Sequence, residues 1–199
     1  MRVLVFARAP VPGRCKTRLI PRLGAQGAAA LHRRLVRQTL QTALDSGSST
    51  ELWCAPDTHH GFFMRCRREF GVKLRRQCGG DLGRRMAHAL KRALRDSERV
   101  SLIGTDCVNL TAQDLRDAFD ALQNADVVLK PATDGGYVLI GARRITLGAL
   151  RGIAWSSGRE LAQTQARLQR AGLAWQELPP REDLDTPGDY RRARRAGML

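Results

Sequence analysis

Aromatic rings, lysines and acids are all scarce in this 199-residue chain. Phe, Trp and Tyr make up 5% of it, and 19 acidic residues face 34 cations. No apolar stretch approaches the ~20 residues of a membrane-spanning helix. The run Val3–Ala7 is cut off by Arg8 and Pro10 before it reaches the length of a secretory h-region, so a cytosolic protein is expected. Five cysteines, an odd number with no Cys-x-x-Cys pair, argue against a disulfide framework. Cys54, Cys66 and Cys78 are evenly spaced around His59-His60, but the spacing is unlike a short zinc knuckle and Cys54 falls in a strand pattern. Internal repeats and low-complexity linkers are absent too. One domain over residues 1–199 is expected, and a chain of this size buries about 70% of its unfolded surface.

The charge is one-sided. Net charge is +15, yet lysine occurs only at positions 16, 73, 91 and 130, so arginine supplies the other 30 cations. These arginines are scattered over polar faces of helical patterns, as at Arg33, Arg34 and Arg37 or Arg191, Arg192, Arg194 and Arg195. No aromatic residues interleave them to stack bases, which argues against nucleic acid as a partner. An excess of this size attracts anionic substrates without special design.

The most informative stretch is the first. Val3–Phe6 reads as a buried strand that breaks into a loop carrying Pro10, Pro12 and Gly13, with Arg8, Arg14, Lys16 and Arg18 supplying four cations in eleven residues. A first strand feeding a glycine-containing basic loop is where α/β proteins place nucleotide phosphates. The loop is not a P-loop, because Gly13 is separated from Lys16-Thr17 by two residues and has no glycine five before it. It is not a Gly-x-Gly-x-x-Gly fingerprint either. A solvated basic turn is the competing reading.

Two later stretches share that logic. Val100–Ile103 reads as a buried strand with Asp106 just past its end, and Thr111-Ala-Gln-Asp114 has the spacing of a capping box opening a helix. A carboxylate at a strand tip with no cation in the next nine residues suits Mg²⁺ or Mn²⁺, which take one or two carboxylates plus substrate phosphates. Capping of backbone amides is the alternative. Farther on, two apolar strands, Val127–Leu129 and Tyr137–Ile140, flank Pro131-Ala-Thr-Asp-Gly-Gly136. The connection is longer than a tight hairpin needs. Asp134 suits an acceptor hydroxyl as hydrogen-bond acceptor or base, Gly135 and Gly136 leave room for a polyol, and Tyr137 offers a ring to a sugar face.

Gly79-Gly-Asp-Leu-Gly83 precedes a helix, where Asp81 either caps that helix or accepts from a nucleotide. Trp155 and Ser156 precede another helix, as acceptor-pocket residues or as packing, and Ser157-Gly-Arg-Glu160 has capping-box spacing. Helices are expected over 26–44, 61–70, 83–95, 112–123, 159–171 and from 188, with single strands 2–6, 51–55, 72–76, 100–103 and 174–178 between them. That alternation implies a mostly parallel sheet, and the two near-adjacent strands imply a local antiparallel insertion.

Six segments in order carry a family resemblance: Phe6-Ala-Arg-Ala-Pro-Val-Pro-Gly-Arg-Cys-Lys-Thr-Arg-Leu19, Gly80-Asp-Leu-Gly-Arg-Arg-Met86, Ile103-Gly-Thr-Asp106, Asp134-Gly-Gly-Tyr-Val-Leu-Ile-Gly141, Trp155-Ser156 and Asp183-Leu-Asp-Thr-Pro187. Together they resemble the GT-A-type nucleotide-diphospho-sugar transferase superfamily. Within it they resemble a bacterial family of small glycosyltransferases associated with radical-SAM/selenodomain proteins and arsenosugar biosynthesis. The same skeleton is similar to 2-phospho-lactate guanylyltransferases.

The resemblance implies an α/β fold: a three-layer α/β/α, Rossmann-like domain with a mostly parallel mixed sheet. It implies a metal-dependent glycosyltransferase using a nucleotide-sugar donor and a small-molecule acceptor, with a homodimer left open. Its alternative is a guanylyl- or cytidylyltransferase acting on a small phosphorylated acid and releasing pyrophosphate. Ala7, Arg8, Gly13, Lys16, Arg18, Gly80, Asp81 and Gly83 would bind the nucleotide, with Lys16 also catalytic. Asp106 and Asp185 would hold Mg²⁺ or Mn²⁺, Asp185 because it precedes Thr-Pro. Asp134, catalytic as well, would face the acceptor with Gly135, Gly136, Tyr137, Trp155 and Ser156. Two positions depart from the family: Val108, expected to loosen the metal loop, and Lys130, expected to put a cation near the cleft.

Overall fold

The computed structural model describes residues 1–199. Seven strands, β1 (Arg2–Arg8), β2 (Ser49–Ala55), β3 (Lys73–Arg76), β4 (Val100–Ile103), β5 (Val127–Pro131), β6 (Tyr137–Ala142) and β7 (Trp175–Glu177), form one sheet in the order β3-β2-β1-β4-β6-β5-β7. β1 pairs parallel with β2 and β4, β2 with β3, and β5 with β7. β6 alone runs against its neighbours β4 and β5. The expected antiparallel insertion is therefore a hairpin whose second strand wedges itself between β4 and β5.

The helices are α1 (Ile20–Asp45), α2 (Gly61–Phe70), α3 (Leu82–Ala93), α4 (Ala112–Ala121), α5 (Glu160–Arg170) and α6 (Pro187–Arg195). The central strand β1 shows why the layers form. Val3, Val5 and Ala7 point into one core with Val36 and Leu40 of α1, Phe62 and Phe63 of α2, and Leu115 and Phe119 of α4. Leu4 and Phe6 point into the other, with Met86 and Leu90 of α3 and Leu168 of α5. Strand side chains alternate across the sheet, so an uninterrupted apolar run is a strand buried on both faces. Each large side chain sealed there contributes about 1.5–3 kcal/mol. The three-layer α/β/α expectation holds.

A third, smaller core decides the site. Leu19, Leu31, Leu35, Val108, Leu184 and Ala193 pack together, joining the loop after β1, α1, the loop after β4 and the C-terminal segment. Val108 is thus an anchor, and the expectation that it loosens its loop is corrected.

Several boundaries differ from expectation. α1 starts at Ile20, six residues early, with Pro21 in its first turn and a non-helical break at Gly24. The apolar periodicity begins only beyond that kink. The box at Thr111 is complete: its hydroxyl accepts from Asp114 N at 3.2 Å, and the Asp114 carboxylate accepts from Thr111 N at 2.9 Å. The box at Ser157 is half made. Glu160 accepts from Ser157 N at 2.7 Å, but the serine hydroxyl accepts from Arg159 N at 3.3 Å, not from residue 160.

Lys130 does not reach the cleft. It is 1% exposed, with Nζ 2.9 Å from Asp114 Oδ1, because β5 turns it inward to α4. Arg181 grips the same carboxylate with Nε at 3.0 Å and Nη2 at 2.9 Å. Burial alone would raise the Asp114 carboxyl, but Arg181, Lys130 and the two Thr111 donors outweigh it and hold it down at about 2.

A carboxyl held below its unfolded value of about 4 stabilises the fold above that pH, and the contribution is lost as pH falls through 4 towards 2. Asp114→Asn is expected to cost about 3 kcal/mol at pH 7, a fall of about 10 °C in melting temperature. The gap from the unaltered protein should shrink steadily in melts at pH 4, 3 and 2. A pH-independent gap would mean that the carboxylate charge is not what holds this joint.

Candidate functional site

The loops at the C-terminal ends of β1, β3 and β4 gather on one edge of the sheet with the β5–β6 loop and residues 181–185. The last segment is stitched in from both sides. Arg181 N donates to Pro131 O at 2.9 Å and Thr133 N donates to Arg181 O at 3.3 Å. Asp183 forms a bridge with Cys107, and Leu184 N donates to Asp106 O at 2.8 Å.

This stitching brings Asp106 and Asp185 onto one cation. Lys16, left-handed at φ 46° and ψ 42°, places Nζ 2.9 Å from Asp106 Oδ1 and 3.1 Å from Asp185 Oδ1, and it also donates to the Leu184 carbonyl. Its side chain is 4% exposed while both carboxylates are about 40% exposed. Burial pulls the ammonium pKa down, but the two carboxylates push it up further, so Lys16 is charged. Sequence reasoning aimed it at phosphate; the structure pairs it with the two residues expected to hold a metal. Those carboxylates are hard oxygen donors and fit Mg²⁺ or Mn²⁺ in kind.

Asp183 stands beside them. Burial pushes its carboxyl up to about 7, helped by Asp106, Asp185 and Asp134 and opposed by Lys16. Sequence reasoning preferred Asp185 within this acidic stretch and left Asp183 aside. A signal existed: residues i and i+2 of an extended segment share a side, and the buried Leu184 between them sends both acids the other way.

A cavity of about 520 Å³ opens here, walled by Phe6, Leu82, Met86, Tyr137 and Trp155 and carrying Asp106, Asp134, Asp183, Asp185, Glu160 and Arg18. Gly136 and Ser156 also line it, the latter at φ 63°. The Tyr137 and Trp155 rings meet edge-on, centroids 6.2 Å apart, and the Tyr137 oxygen accepts from Thr164 Oγ1 at 3.4 Å. Sequence reasoning gave no signal for Phe6, Met86 or Glu160 as site residues. Cys107 lines the cavity too, but burial and Asp183 push its thiol up to about 12.

The Asp134 loop is tighter than expected. Asp134 Oδ1 accepts from Gly136 N at 3.0 Å, a turn-making bond. A side chain on Gly135 would place its Cβ 2.1 Å from Gly158 O, so this glycine serves loop-to-loop contact and leaves no room for a polyol. Asp134 still lines the cavity.

A second cavity, of about 670 Å³, lies at the ends of β1, β2 and β3. Arg8, Arg14, Arg76 and Arg85 line it with Gln77, Cys78 and Gly79, and no acid is among its lining residues. Gln77 ties it together, donating to Ala7 O at 3.2 Å and Trp53 O at 2.8 Å. His32, which sequence reasoning missed inside α1, is 5% exposed with Nε2 2.9 Å from Arg8 O. Burial lowers its pKa, which keeps the ring neutral and lets it donate to that carbonyl.

The expected nucleotide set divides. Arg8 lines the arginine cavity and Arg18 the acidic one, whereas Ala7, Gly13 and Lys16 line neither. Gly80, Asp81 and Gly83 line neither as well; Gly79, Leu82 and Arg85 do. Asp81 caps α3, accepting from Arg84 N at 2.8 Å. Gly83 is buried, and a Cβ there would lie 2.0 Å from Leu150 O and 3.1 Å from Trp155. It packs α3 against the Trp155 loop.

Residues 28–157 match the model of a protein family described as "Uncharacterized protein conserved in bacteria (DUF2064)". The chain belongs to this family. A crystal structure from Desulfovibrio desulfuricans G20, described as a "putative nucleotide-diphospho-sugar transferase", is 31% identical with a TM-score of 0.90, covering 98% of this chain and 87% of that one. CMP:2-keto-3-deoxy-manno-octonic acid synthetase complexed with CTP aligns over 99% of this chain and 98% of its own, at 16% identity and a TM-score of 0.57. Rv0371c from Mycobacterium tuberculosis H37Rv, in complex with manganese, aligns over 96% of each chain at 19% identity and a TM-score of 0.55. The last two likenesses are of fold. No curated protein matches the sequence.

The glycine geometry separates packing from ligand contact. Gly83→Ala forces a Cβ into backbone and should cost about 3 kcal/mol. Gly80→Ala, with no atom within 4 Å of its Cβ, should stay within about 0.5 kcal/mol. Chemical denaturation of both variants checks this, and equal losses would contradict the packing role.

Proposed function

We propose that the protein is a divalent-metal-dependent transferase that takes a nucleotide-diphospho-sugar in the arginine-lined cavity and passes the sugar to a small acceptor in the acidic one. The observation carrying this is the charge division at the end of β1. Four arginines, Arg8 among them, line one cavity with no acid, and five carboxylates with one arginine line the other beside Phe6, while the first turns of α3 line both cavities. A polyanionic donor is drawn to the first, where the arginines offer planar forks to phosphate oxygens.

The chemistry is departure of a nucleoside diphosphate, so charge stabilisation on the leaving group contributes most. Asp106 and Asp185, with the donor's phosphates, would hold Mg²⁺ or Mn²⁺, which supplies positive charge against that leaving group. Lys16 faces those same two carboxylates in the structure. Once they serve the ion, Lys16 hands its ammonium to the donor phosphates beside Arg18. Asp134 accepts the proton of the attacking hydroxyl.

The second reading is nucleotidyl transfer, in which a phosphate oxygen of a small acid attacks the α-phosphate of CTP or GTP and pyrophosphate leaves. The fold shared with the CTP-complexed synthetase favours it.

Product analysis separates the two. With UDP- or GDP-sugars and Mn²⁺, release of nucleoside diphosphate is expected; pyrophosphate from CTP or GTP would install the second reading. Lys16→Ala and Asp106→Asn should each lower kcat by about 10²- to 10³-fold with helix content unchanged by circular dichroism, and EDTA should abolish turnover. Near-normal turnover in Lys16→Ala would remove the leaving-group role.

A further inference from the structure

Resting on that reading of the acidic cavity, we propose that the acceptor is a small hydroxyl-bearing amine of the amino-sugar class, its ammonium set among Asp134, Asp183 and Glu160 and its apolar face against Trp155. Phosphorylated and carboxylated acceptors are excluded by the same groups.

Asp106 and Asp185 already face Lys16. Asp134 and Glu160 each use one oxygen on a backbone amide, of Gly136 and Ser157, and the second oxygen of each makes no hydrogen bond to protein. Glu160 is 7% exposed, which is unusual for a glutamate without a cationic partner, and it lines the cavity. Asp183 lines it too, and no side-chain donor in the protein reaches its carboxylate. Arg18 is the only cationic residue in the lining.

Half of the lining residues are hydrophobic, and beside such groups opposite charges attract and like charges repel more strongly than in open water. Ring faces such as those of Tyr137 and Trp155 attract cations as well. An ammonium gains from the acids and the rings of this lining, and Arg18 alone opposes it. A phosphate dianion would meet the carboxylates of Asp134 and Glu160, with Arg18 alone to oppose them.

Three probes of one shape and different charge test this without any donor: glucosamine, glucose and glucose 6-phosphate. Each is titrated into the intact protein at pH 7 while tryptophan fluorescence is followed. Glucosamine is expected to bind at least ~10-fold more tightly than glucose 6-phosphate, with glucose between them. Asp134→Asn combined with Glu160→Gln should bring the three within about 3-fold, since both amides still fill their sites. In Trp155→Phe the fluorescence response should vanish.

Equal or reversed affinities in the unaltered protein would overturn the proposal. So would a response that persists in Trp155→Phe, because the probe would then sit elsewhere. Failure of the transfer reading is distinguishable: pyrophosphate release with the charge order intact would discard sugar transfer and keep the cationic acceptor. Diphosphate release with the order reversed would do the opposite.

Discussion

The buried carboxylate of Asp114 is the joint on which the site depends. It caps α4 through Thr111, receives Lys130 from β5 and holds the fork of Arg181, so one side chain fixes a helix, a strand and the C-terminal segment relative to each other. Two cations share it, and that sharing explains why an acid this buried stays ionised: the desolvation cost is met by several short donors. Arg181 is held two residues before Asp183, and Leu184 then drops into the third core beside Val108 and Leu19. An ionic anchor on one side and an apolar anchor on the other leave the acids between them little freedom. Their convergence on Asp106 follows from these anchors.

Lys16 answers the electrostatic problem that convergence creates. Two carboxylates brought to one place repel, and a cation between them turns repulsion into attraction. The left-handed backbone at Lys16 costs about 1 kcal/mol, which the two ion pairs and the Leu184 carbonyl offset. The neighbouring loop is pre-set by His32 on the Arg8 carbonyl and Gln77 on the Ala7 carbonyl. A cation-carrying loop held by its own carbonyls loses little entropy when a ligand arrives.

Much of this was legible in the sequence because it is local. The buried run of β1, the Thr111 capping box and the alternation of strands and helices all leave a signal in spacing or order, whereas the choice of Asp185 beside Asp106 came from the family resemblance. What stayed hidden is non-local or shared. Lys130 looked like a cleft cation because nothing in Leu129-Lys130-Pro131 reveals that Asp114 waits on a helix behind it. Gly83 and Gly135 looked like openings for a ligand, since a glycine that admits a substrate and one that admits another loop's carbonyl read alike. His32 and Glu160 lie in ordinary helical patterns, and only the packed neighbours show why each is buried.

The overall charge of +15 and the acidic cavity belong to one arrangement. Arginines spread over helix surfaces raise the potential around the whole molecule and favour the approach of anions. That long-range field does not choose among them, since salt screens it within about 10 Å. Choice is made at short range, where the arginine cavity and the acidic cavity lie on either side of the end of β1. Five of the 19 acids line one cavity, and Asp114 and Asp126 are buried against cations. At that cavity the local charge opposes the general field. On the proposed reading, local inversion of a global charge would discriminate between an anionic donor and an acceptor of opposite character, which two cavities of equal sign could not do.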